Sequence, residues 1–314
     1  MSDTDVLRVA VVGVGHLGRH HARILCEMPD VRMVGIFDLN RQRAREIAAA
    51  CGTEMLTDLA QLPGMVDAVT VAVPTDSHLS VAQPLIEAGI PVLIEKPLAR
   101  SVPETDVLLA AARARGVTLA VGHTERFNPA VVAARQHIRV PRFVEVHRLG
   151  TFPERSLDID VVFDLMIHDL DIVLSIVSSD VVAVEAVGVA VLTPKPDIAN
   201  ARLRFASGCI ANVTASRISK DRVRKIRIFQ RDSYLSIDYA AQEVERWRLV
   251  RKDGTRPVID GGKLEVPREE PLKRELADFV AAVRERRSPA VSGADGMRAL
   301  ELAQRSSSAM ESAR

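Results

Sequence analysis

The stretch Val9-Ala10-Val11-Val12-Gly13-Val14-Gly15-His16-Leu17-Gly18 decides the fold of the first part of the chain. Its apolar residues predict a buried strand, and the spacing Gly-x-Gly-x-x-Gly before a helical pattern predicts a tight turn that opens a helix. Gly13 permits the turn, Gly15 lets backbone N–H groups approach a pyrophosphate, and Gly18 lets the helix pack closely on the strand. The helix start supplies N–H donors and a positive dipole end. We therefore predict that this turn, including His16 and Leu17, binds a dinucleotide.

A second apolar run, Val31–Phe37, ends in Asp38, twenty residues after Gly18. A carboxylate at this position accepts hydrogen bonds from the adenosine ribose hydroxyls and repels a 2′-phosphate. The sequence therefore predicts NAD as the cofactor. Arg41 is a further candidate cofactor contact and leaves NADP open as an alternative.

Strands and helices alternate over residues 7–122, which predicts an α/β domain with a Rossmann doubly wound parallel sheet. Ligands of such sheets bind at the carboxyl ends of the strands. Besides the glycine turn and Asp38, the residues expected at that edge are Pro74, Thr75, Glu95 and Lys96. We predict that these residues contact the cofactor.

The pattern changes in residues 123–314, where strand-like runs follow one another with few helices between them. This arrangement predicts a second, α+β domain with an antiparallel or mixed sheet. Asn128 followed by Pro129 predicts the start of a helix, with Asn128 as its cap. The predicted domains are therefore 1–122 and 123–314.

Composition excludes several classes of function. The net charge is +1, which is too small for a general nucleic-acid binder or a protein that binds anionic membranes. The apolar run that begins at Val9 is too short to span a membrane. Cys26, Cys51 and Cys209 lack metal-ligand spacing and are odd in number, so we expect free thiols, no metal site and a cytoplasmic location.

The predicted helix Val161–Ile176 is apolar on nearly all sides, which is typical of a buried helix. Asp164, His168 and Asp171 interrupt it at helical spacing and form one polar stripe. Burying a carboxylate without a partner is costly, so the stripe indicates a function. The alternative is a structural network in which Asp164 and His168 satisfy each other or a nearby arginine and Asp171 is solvated. No role is assigned to Asp169.

Lys96 follows directly on a predicted parallel strand, where it is expected beside the nicotinamide end of a dinucleotide. Oxidation of a secondary alcohol needs a group that takes the hydroxyl proton. His168 can act as a neutral base, Asp164 can orient its ring, and Lys96 can stabilise a developing alkoxide. The alternative for Lys96 is an exposed loop lysine.

These motifs together resemble the Gfo/Idh/MocA oxidoreductase family, which includes glucose-fructose oxidoreductase and inositol dehydrogenase. The matching motifs are the glycine turn, Asp38, Glu95-Lys96-Pro97 and Asp164-x-x-x-His168. The resemblance implies a Rossmann domain followed by a domain with a large open sheet, whose face commonly builds homodimers or homotetramers. It also implies that Lys96, Asp164 and His168 are catalytic, that NAD or NADP binds at the glycine turn, and that the Lys96–Pro97 peptide is cis.

Two segments, Gly122–Pro129 and Asp164–Asp171, are similar to those of members that oxidise the 3-hydroxyl of UDP-N-acetylglucosamine. Arg126 and Asn128 are candidate contacts of the substrate or the nicotinamide, and Asp171 is a further candidate substrate contact. The resemblance also places His78 near the cofactor, with a plain helix-surface histidine as the alternative.

A basic stretch supports a substrate that carries a diphosphate. Its members are Arg217, Lys220, Arg222, Arg224, Lys225, Arg227 and Arg231. The alternative is a solvated strand face with Ile226 and Ile228 turned inward.

The sequence thus predicts an NAD(P)-dependent enzyme that oxidises a sugar hydroxyl to a ketone. One alternative is a dehydrogenase or reductase of the same fold that acts on a free sugar, inositol, imine, aldehyde or tetrapyrrole. Another is a cofactor-binding sensor without turnover.

Overall fold

The computed structural model describes residues 6–152, 159–251 and 256–312. The chain divides into two compact units, of which the first contains Met1–Thr124 and Leu272–Met297. The second contains Glu125–Pro271 and Arg298–Arg314. The first break falls close to the predicted domain boundary at residue 122, but Leu272–Met297 returns to the first unit. Within the described residues, no helix is long and apolar enough to cross a membrane.

The first unit is built around a parallel sheet with the strand order β2-β1-β3-β4-β5. Its strands are β1 (Leu7–Val12), β2 (Val31–Phe37), β3 (Ala68–Val71), β4 (Val92–Glu95) and β5 (Leu119–Gly122). The helices between them are α1 (Gly18–Glu27), α2 (Arg41–Ala50), α3 (His78–Glu87) and α4 (Val102–Arg115).

Between α2 and β3, Met55 forms a single parallel bridge with Ile36 on β2. Counted as a strand, this bridge gives the order 3-2-1-4-5-6, which is the order of dinucleotide-binding domains. The order reverses beside β1, so the glycine turn that follows β1 lies at the switch point of the sheet. Residues Val9–Val12 are fully buried, as expected for a parallel strand covered on both faces.

The second unit combines helices with a mixed sheet whose strands mostly follow one another along the chain. Its elements begin with α5 (Pro129–Arg135), β6 (Phe143–Leu149), α6 (Ile167–Ile176), β7 (Val181–Val189), β8 (Ile198–Phe205) and β9 (Ile210–Ser216). They continue with β10 (Val223–Phe229), β11 (Ser233–Asp238), β12 (Glu243–Val250) and β13 (Val258–Lys263). The chain closes with α7 (Pro271–Glu285) and α8 (Gly293–Ser312), and the division between the units falls within α8.

The strands of this sheet have the order β13-β12-β11-β10-β6-β9-β8-β7. The pair β6 and β9 is parallel, whereas the other neighbours are antiparallel, so the sheet is mostly antiparallel, which confirms the predicted antiparallel or mixed sheet. One face is apolar, with Val144, Val146, Ile226 and Ile228 fully buried. Helix α5 packs on β11 and β12, and α6 packs on β6 and β9.

Candidate functional site

The glycine turn after β1 has the geometry that a dinucleotide requires. Gly13 has a φ of +85°, and an added Cβ would lie 2.7 Å from the carbonyl oxygen of Ala72. A Cβ on Gly18 would overlap the carbonyl oxygen of Gly13, so the helix can approach only without one. A Cβ on Gly15 would meet no backbone atom within 4 Å, which leaves the space that a pyrophosphate would occupy. No side chain caps the start of α1, which favours an anion at that end.

Asp38 lies at the carboxyl end of β2, as predicted, and its carboxylate also braces the turn. Oδ2 accepts from the backbone N–H of Val14 at 2.8 Å, and Oδ1 accepts from that of Asn40 at 2.7 Å. Each carboxylate oxygen can accept a second hydrogen bond, and Asp38 is partly exposed, so ribose hydroxyls can still be accepted. The turn and Asp38 therefore fit the adenosine half of NAD.

Glu95 ends β4 as a buried, paired carboxylate. Its Oε1 lies 2.9 Å from Nε2 of His21 on α1, and its Oε2 accepts from the backbone N–H of Lys96 at 3.2 Å. Burial raises the pKa of Glu95, but the His21 hydrogen bond and the Lys96 charge outweigh this effect and hold it below its usual value. Lys96 itself is partly exposed, and the Lys96–Pro97 peptide is cis, which confirms the prediction.

His78 is not a helix-surface histidine, because only 1% of it is exposed. Its Nδ1 lies 2.9 Å from the carbonyl oxygen of Pro97 and its Nε2 lies 3.0 Å from that of Val73. Burial lowers the pKa of His78 despite these carbonyls, so a neutral ring donates to one of them at a time. His78 therefore holds the end of β3 to the turn that carries Lys96. Pro74 and Thr75 lie in that same segment after β3, where Thr75 begins a single 3₁₀ turn.

The segment that carries the predicted acid and base begins as a π-helical turn, Val162–Met166, and continues as α6. Asp164 lies in the π turn and His168 in the first turn of α6, and both are partly exposed. The stripe predicted from uniform α-helical spacing therefore does not apply across Met166. A π turn widens the helix by one residue and is frequent at functional sites.

Arg126 and Asp171, both predicted to contact substrate, form a buried ion pair with each other. Nε and Nη2 of Arg126 donate to the two carboxylate oxygens of Asp171 at 2.7 and 2.8 Å, and 1% of the Asp171 side chain is exposed. The alternative of a solvated Asp171 is therefore wrong. The third candidate, Asn128, caps α5 as predicted, and its amide donates to Glu125 and to the carbonyl of Tyr239. The geometry thus assigns Asn128 to holding this part of the unit.

Asp169, which received no role from the sequence, is fully buried against Arg148 of β6. Nε and Nη2 of Arg148 donate to Asp169 at 2.6 and 3.0 Å, and the guanidinium lies 5.6 Å from the ring centre of Tyr239. Glu125 also accepts from Arg148, at 3.3 and 3.4 Å. Burial lowers the pKa of Arg148, but the Asp169 charge raises it above its usual value, so the arginine stays charged.

The basic stretch is a solvated strand face over β10, where Ile226 and Ile228 are fully buried and the cations alternate with them. Arg217 is not available to a diphosphate, because 1% of it is exposed and its Nε donates to Asp197 at 2.9 Å. Its other nitrogens donate to the carbonyl of Ile159 and the hydroxyl of Thr193.

Within the first unit, the structure brings the glycine turn, Asp38 and the Glu95-Lys96-Pro97 turn to one edge of the sheet, as predicted. Within the second unit, it places Asp164 and His168 on one helical segment. Sequence reasoning missed His21 and the Arg148–Asp169 pair. A carboxylate on an almost entirely apolar helix is a signal for Asp169, because it requires a buried partner, whereas nothing in the sequence distinguishes His21 from other helix residues.

Comparison with known proteins supports the same interpretation. Residues 7–123 match the oxidoreductase family with an NAD-binding Rossmann fold, and residues 131–235 match the GFO/IDH/MocA C-terminal domain. UDP-N-acetylglucosamine 3-dehydrogenase of Acidithiobacillus ferrooxidans is 38% identical over 95% of each chain. A solved structure of that enzyme has a TM-score of 0.91 at 37% identity and covers 98% of each chain.

More distant relatives act on other polyols. Inositol 2-dehydrogenase of Rhizobium meliloti is 28% identical over 95% of this chain and 94% of its own. A levoglucosan dehydrogenase in complex with NADH and levoglucosan shares the fold, with a TM-score of 0.88 at 20% identity over 98% of each chain. The chain therefore belongs to the GFO/IDH/MocA family of NAD-binding oxidoreductases.

Proposed function

We propose that the protein oxidises the 3-hydroxyl of a UDP-N-acetylhexosamine to a ketone with NAD. The observation that carries this proposal is the 38% identity to a UDP-N-acetylglucosamine 3-dehydrogenase over 95% of both chains. The presence of Lys96, Asp164 and His168 supports catalysis over a sensor role, because turnover needs all the functional groups that these residues offer.

The glycine turn and Asp38 are the residues that would hold NAD. Backbone N–H groups of the turn would bind its phosphates, and the Asp38 carboxylate would bind the ribose hydroxyls and disfavour a 2′-phosphate. Bound NAD supplies the acceptor for the hydride that leaves the carbinol carbon. His78 and Glu95 shape the turn that presents Lys96. Pro74 and Thr75, which follow β3, remain proposed contacts of the cofactor.

In the proposed mechanism His168 takes the proton of the substrate hydroxyl. Asp164 keeps the imidazole oriented and stabilises its protonated form, and the ammonium of Lys96 stabilises the developing alkoxide. The ion pairs Arg126–Asp171 and Arg148–Asp169 fix α6, which carries His168. In this mechanism Arg126 and Asp171 position the helix.

The proposal is tested by following the absorbance of reduced nicotinamide with NAD and a panel of substrates. We expect turnover with UDP-N-acetylglucosamine and much lower rates with free N-acetylglucosamine, glucose and myo-inositol. Turnover with inositol or glucose, but not with the nucleotide sugar, would refute the substrate assignment. Cofactor binding without turnover on any of these polyols would favour the sensor.

Variants of the catalytic residues separate chemistry from binding. His168→Asn should lower kcat by about 10²- to 10⁴-fold, as for loss of a general base, and leave the Kd for NAD within about twofold. Glu46→Gln, which changes an exposed residue of α2, is a matched control that should leave both constants unchanged. A His168→Asn enzyme with an unchanged kcat would remove His168 from the mechanism.

We also propose that the open face of the eight-stranded sheet joins two copies of the chain. In-register neighbours on adjacent strands form an apolar row across that face, namely Ile210, Phe143, Phe229, Tyr234 and Trp247. The rings of Phe143 and Phe229 lie 5.6 Å apart, and those of Phe229 and Tyr234 lie 5.0 Å apart. Light scattering should give the mass of a homodimer or homotetramer, and Phe229→Arg should lower the number of subunits in the assembly. A monomeric wild-type protein would refute this interface.

A cytoplasmic location completes the proposal. Cys26, Cys51 and Cys209 are all free thiols, which suits a reducing compartment.

A further inference from the structure

We infer that Arg43, on the second helix of the dinucleotide-binding unit, holds the diphosphate of the bound dinucleotide. The sequence suggests Arg41 as the cation near the cofactor, whereas Arg43 is an exposed residue of the same helix. The inference concerns cofactor binding and does not depend on the identity of the substrate.

The position of the Arg43 guanidinium relative to Gly15 carries the inference. An ideal Cβ built on Gly15 meets one heavy atom within 4 Å, and that atom is Nη1 of Arg43, at 3.9 Å. The second glycine of this fingerprint lacks a Cβ so that a pyrophosphate can approach the backbone. The guanidinium therefore lies on the side of the turn where the phosphates bind.

The chain anchors Arg43 at this place through two side chains. Asn40 caps α2 by accepting from the backbone N–H of Arg43 at 3.1 Å. Asp38 binds the N–H of Asn40 with one oxygen and the N–H of Val14, next to Gly15, with the other. These hydrogen bonds connect the first turn of α2 to the glycine turn, so they fix the backbone position of Arg43 relative to that turn.

The positive charge of Arg43 is available to an anionic ligand. Within the parts of the chain that the structure describes, no carboxylate forms an ion pair with its exposed guanidinium. The diphosphate carries two negative charges, and the start of α1 meets them with N–H groups and the positive end of a dipole. A guanidinium binds phosphate oxygens through paired, charge-assisted hydrogen bonds.

Two ligand groups compete for this cation, and the geometry favours the diphosphate. A 2′-phosphate would lie beside the ribose hydroxyls that Asp38 is expected to bind, whereas Nη1 of Arg43 lies 3.9 Å from the position that a Cβ of Gly15 would occupy, on the phosphate side of the turn. The inference therefore predicts that Arg43 strengthens NAD and NADP equally.

The test measures affinities of the full-length protein by displacement of a fluorescent adenine nucleotide, with NAD, NADP, ADP and adenosine as competitors. Arg43→Gln should weaken NAD, NADP and ADP by about tenfold, because a charge-assisted phosphate contact is lost, and leave adenosine unchanged. The loss should shrink at high salt, because the contact is exposed. Arg45→Gln, a matched removal of an exposed charge on the same helix, should stay within about twofold of wild type.

Three outcomes would overturn the inference. A loss for NADP alone would assign Arg43 to the 2′-phosphate. An equal loss for adenosine would assign it to the adenine or to the local fold, and unchanged affinities would remove it from the site. Because each readout is a binding constant, failure of the proposed sugar oxidation leaves the result interpretable.

Discussion

The buried pair Arg148–Asp169 makes the sharpest prediction for the stability of the second unit. Breaking a buried ion pair by removing one partner costs about 3–5 kcal/mol, because the remaining charge is left without compensation. Arg148→Met leaves Asp169, which has no exposed surface, without its arginine, so we expect a loss of about 4 kcal/mol. Asp169→Asn should cost less, about 3 kcal/mol, because Arg148 keeps Glu125 at 3.3 Å.

The assay is urea unfolding followed by the fluorescence of Trp247, the only tryptophan in the sequence, which lies in the second unit. Replacing both partners by apolar residues, as Arg148→Met with Asp169→Leu, should recover most of the loss, because neither charge then remains buried. Arg227→Gln is the matched control. It breaks the Arg227–Glu145 pair, whose side chains are 44% and 30% exposed, and should cost less than about 1 kcal/mol.

The pH dependence of the Arg148→Met defect gives an independent check. Burial raises the pKa of Asp169 in the folded protein, and Arg148 opposes that rise. Without Arg148 the pKa rises further, so the folded state binds a proton more tightly than the unfolded state does. The loss of unfolding free energy caused by Arg148→Met is then complete at pH values above the raised pKa of Asp169. It disappears at pH values below the pKa of the unfolded state, near 3.8. A defect below about 1 kcal/mol, or one that grows as the pH falls, would refute the reasoning.

Three further predictions concern the first unit. Gly15→Ala should leave the urea midpoint unchanged and weaken NAD binding at least tenfold in a titration, whereas Gly18→Ala should lower the midpoint, because its Cβ overlaps the Gly13 carbonyl. Glu95 has a lowered pKa in the folded state, so it contributes stability that is present above its ordinary value of 4.5 and is lost as the pH falls through the lowered value. Glu95→Gln should therefore reduce the decrease in the free energy of unfolding at acid pH. An unchanged pH dependence would contradict this assignment. Burial, the hydrogen bond with Cys51 and the charge of Glu27 raise the pKa of Cys26 to about 12, so mass spectrometry should find it slow to alkylate in the native protein near neutral pH. Rapid alkylation would show that the thiol is accessible as a thiolate.

The sequence was sufficient for the first unit because its signals are local. Glycine spacing, the strand before it and Asp38 all lie within one βαβ unit, and each requirement follows from backbone sterics or from one hydrogen bond. The same locality explains why Asn128 was predicted correctly as a cap. It also explains the failure for Leu272–Met297, which returns to the first unit although no nearby sequence feature indicates it.

The arrangement around α6 could not be predicted by the same means. A helical wheel assumes a constant 100° per residue, and the π turn at Val162–Met166 changes the rotation between Asp164 and His168. Which hydrogen-bond register a helix adopts depends on its packing and leaves little trace in composition. The sequence could therefore not determine which side of this segment Asp164 and His168 face.

The charged residues of α6 show what an unusual polar residue in an apolar helix does imply. Asp169 and Asp171 lie among apolar residues, as Asp164 does, yet both form ion pairs with arginines of the second unit. These pairs hold the helix in place. A buried carboxylate thus signals a required partner, and the partner decides whether it is structural or chemical. Partial exposure separates Asp164 and His168 from Asp169 and Asp171, because only a group that solvent reaches can meet a substrate or exchange a proton with it. The candidates for catalysis on the segment Val162–Ile176 are for this reason Asp164 and His168.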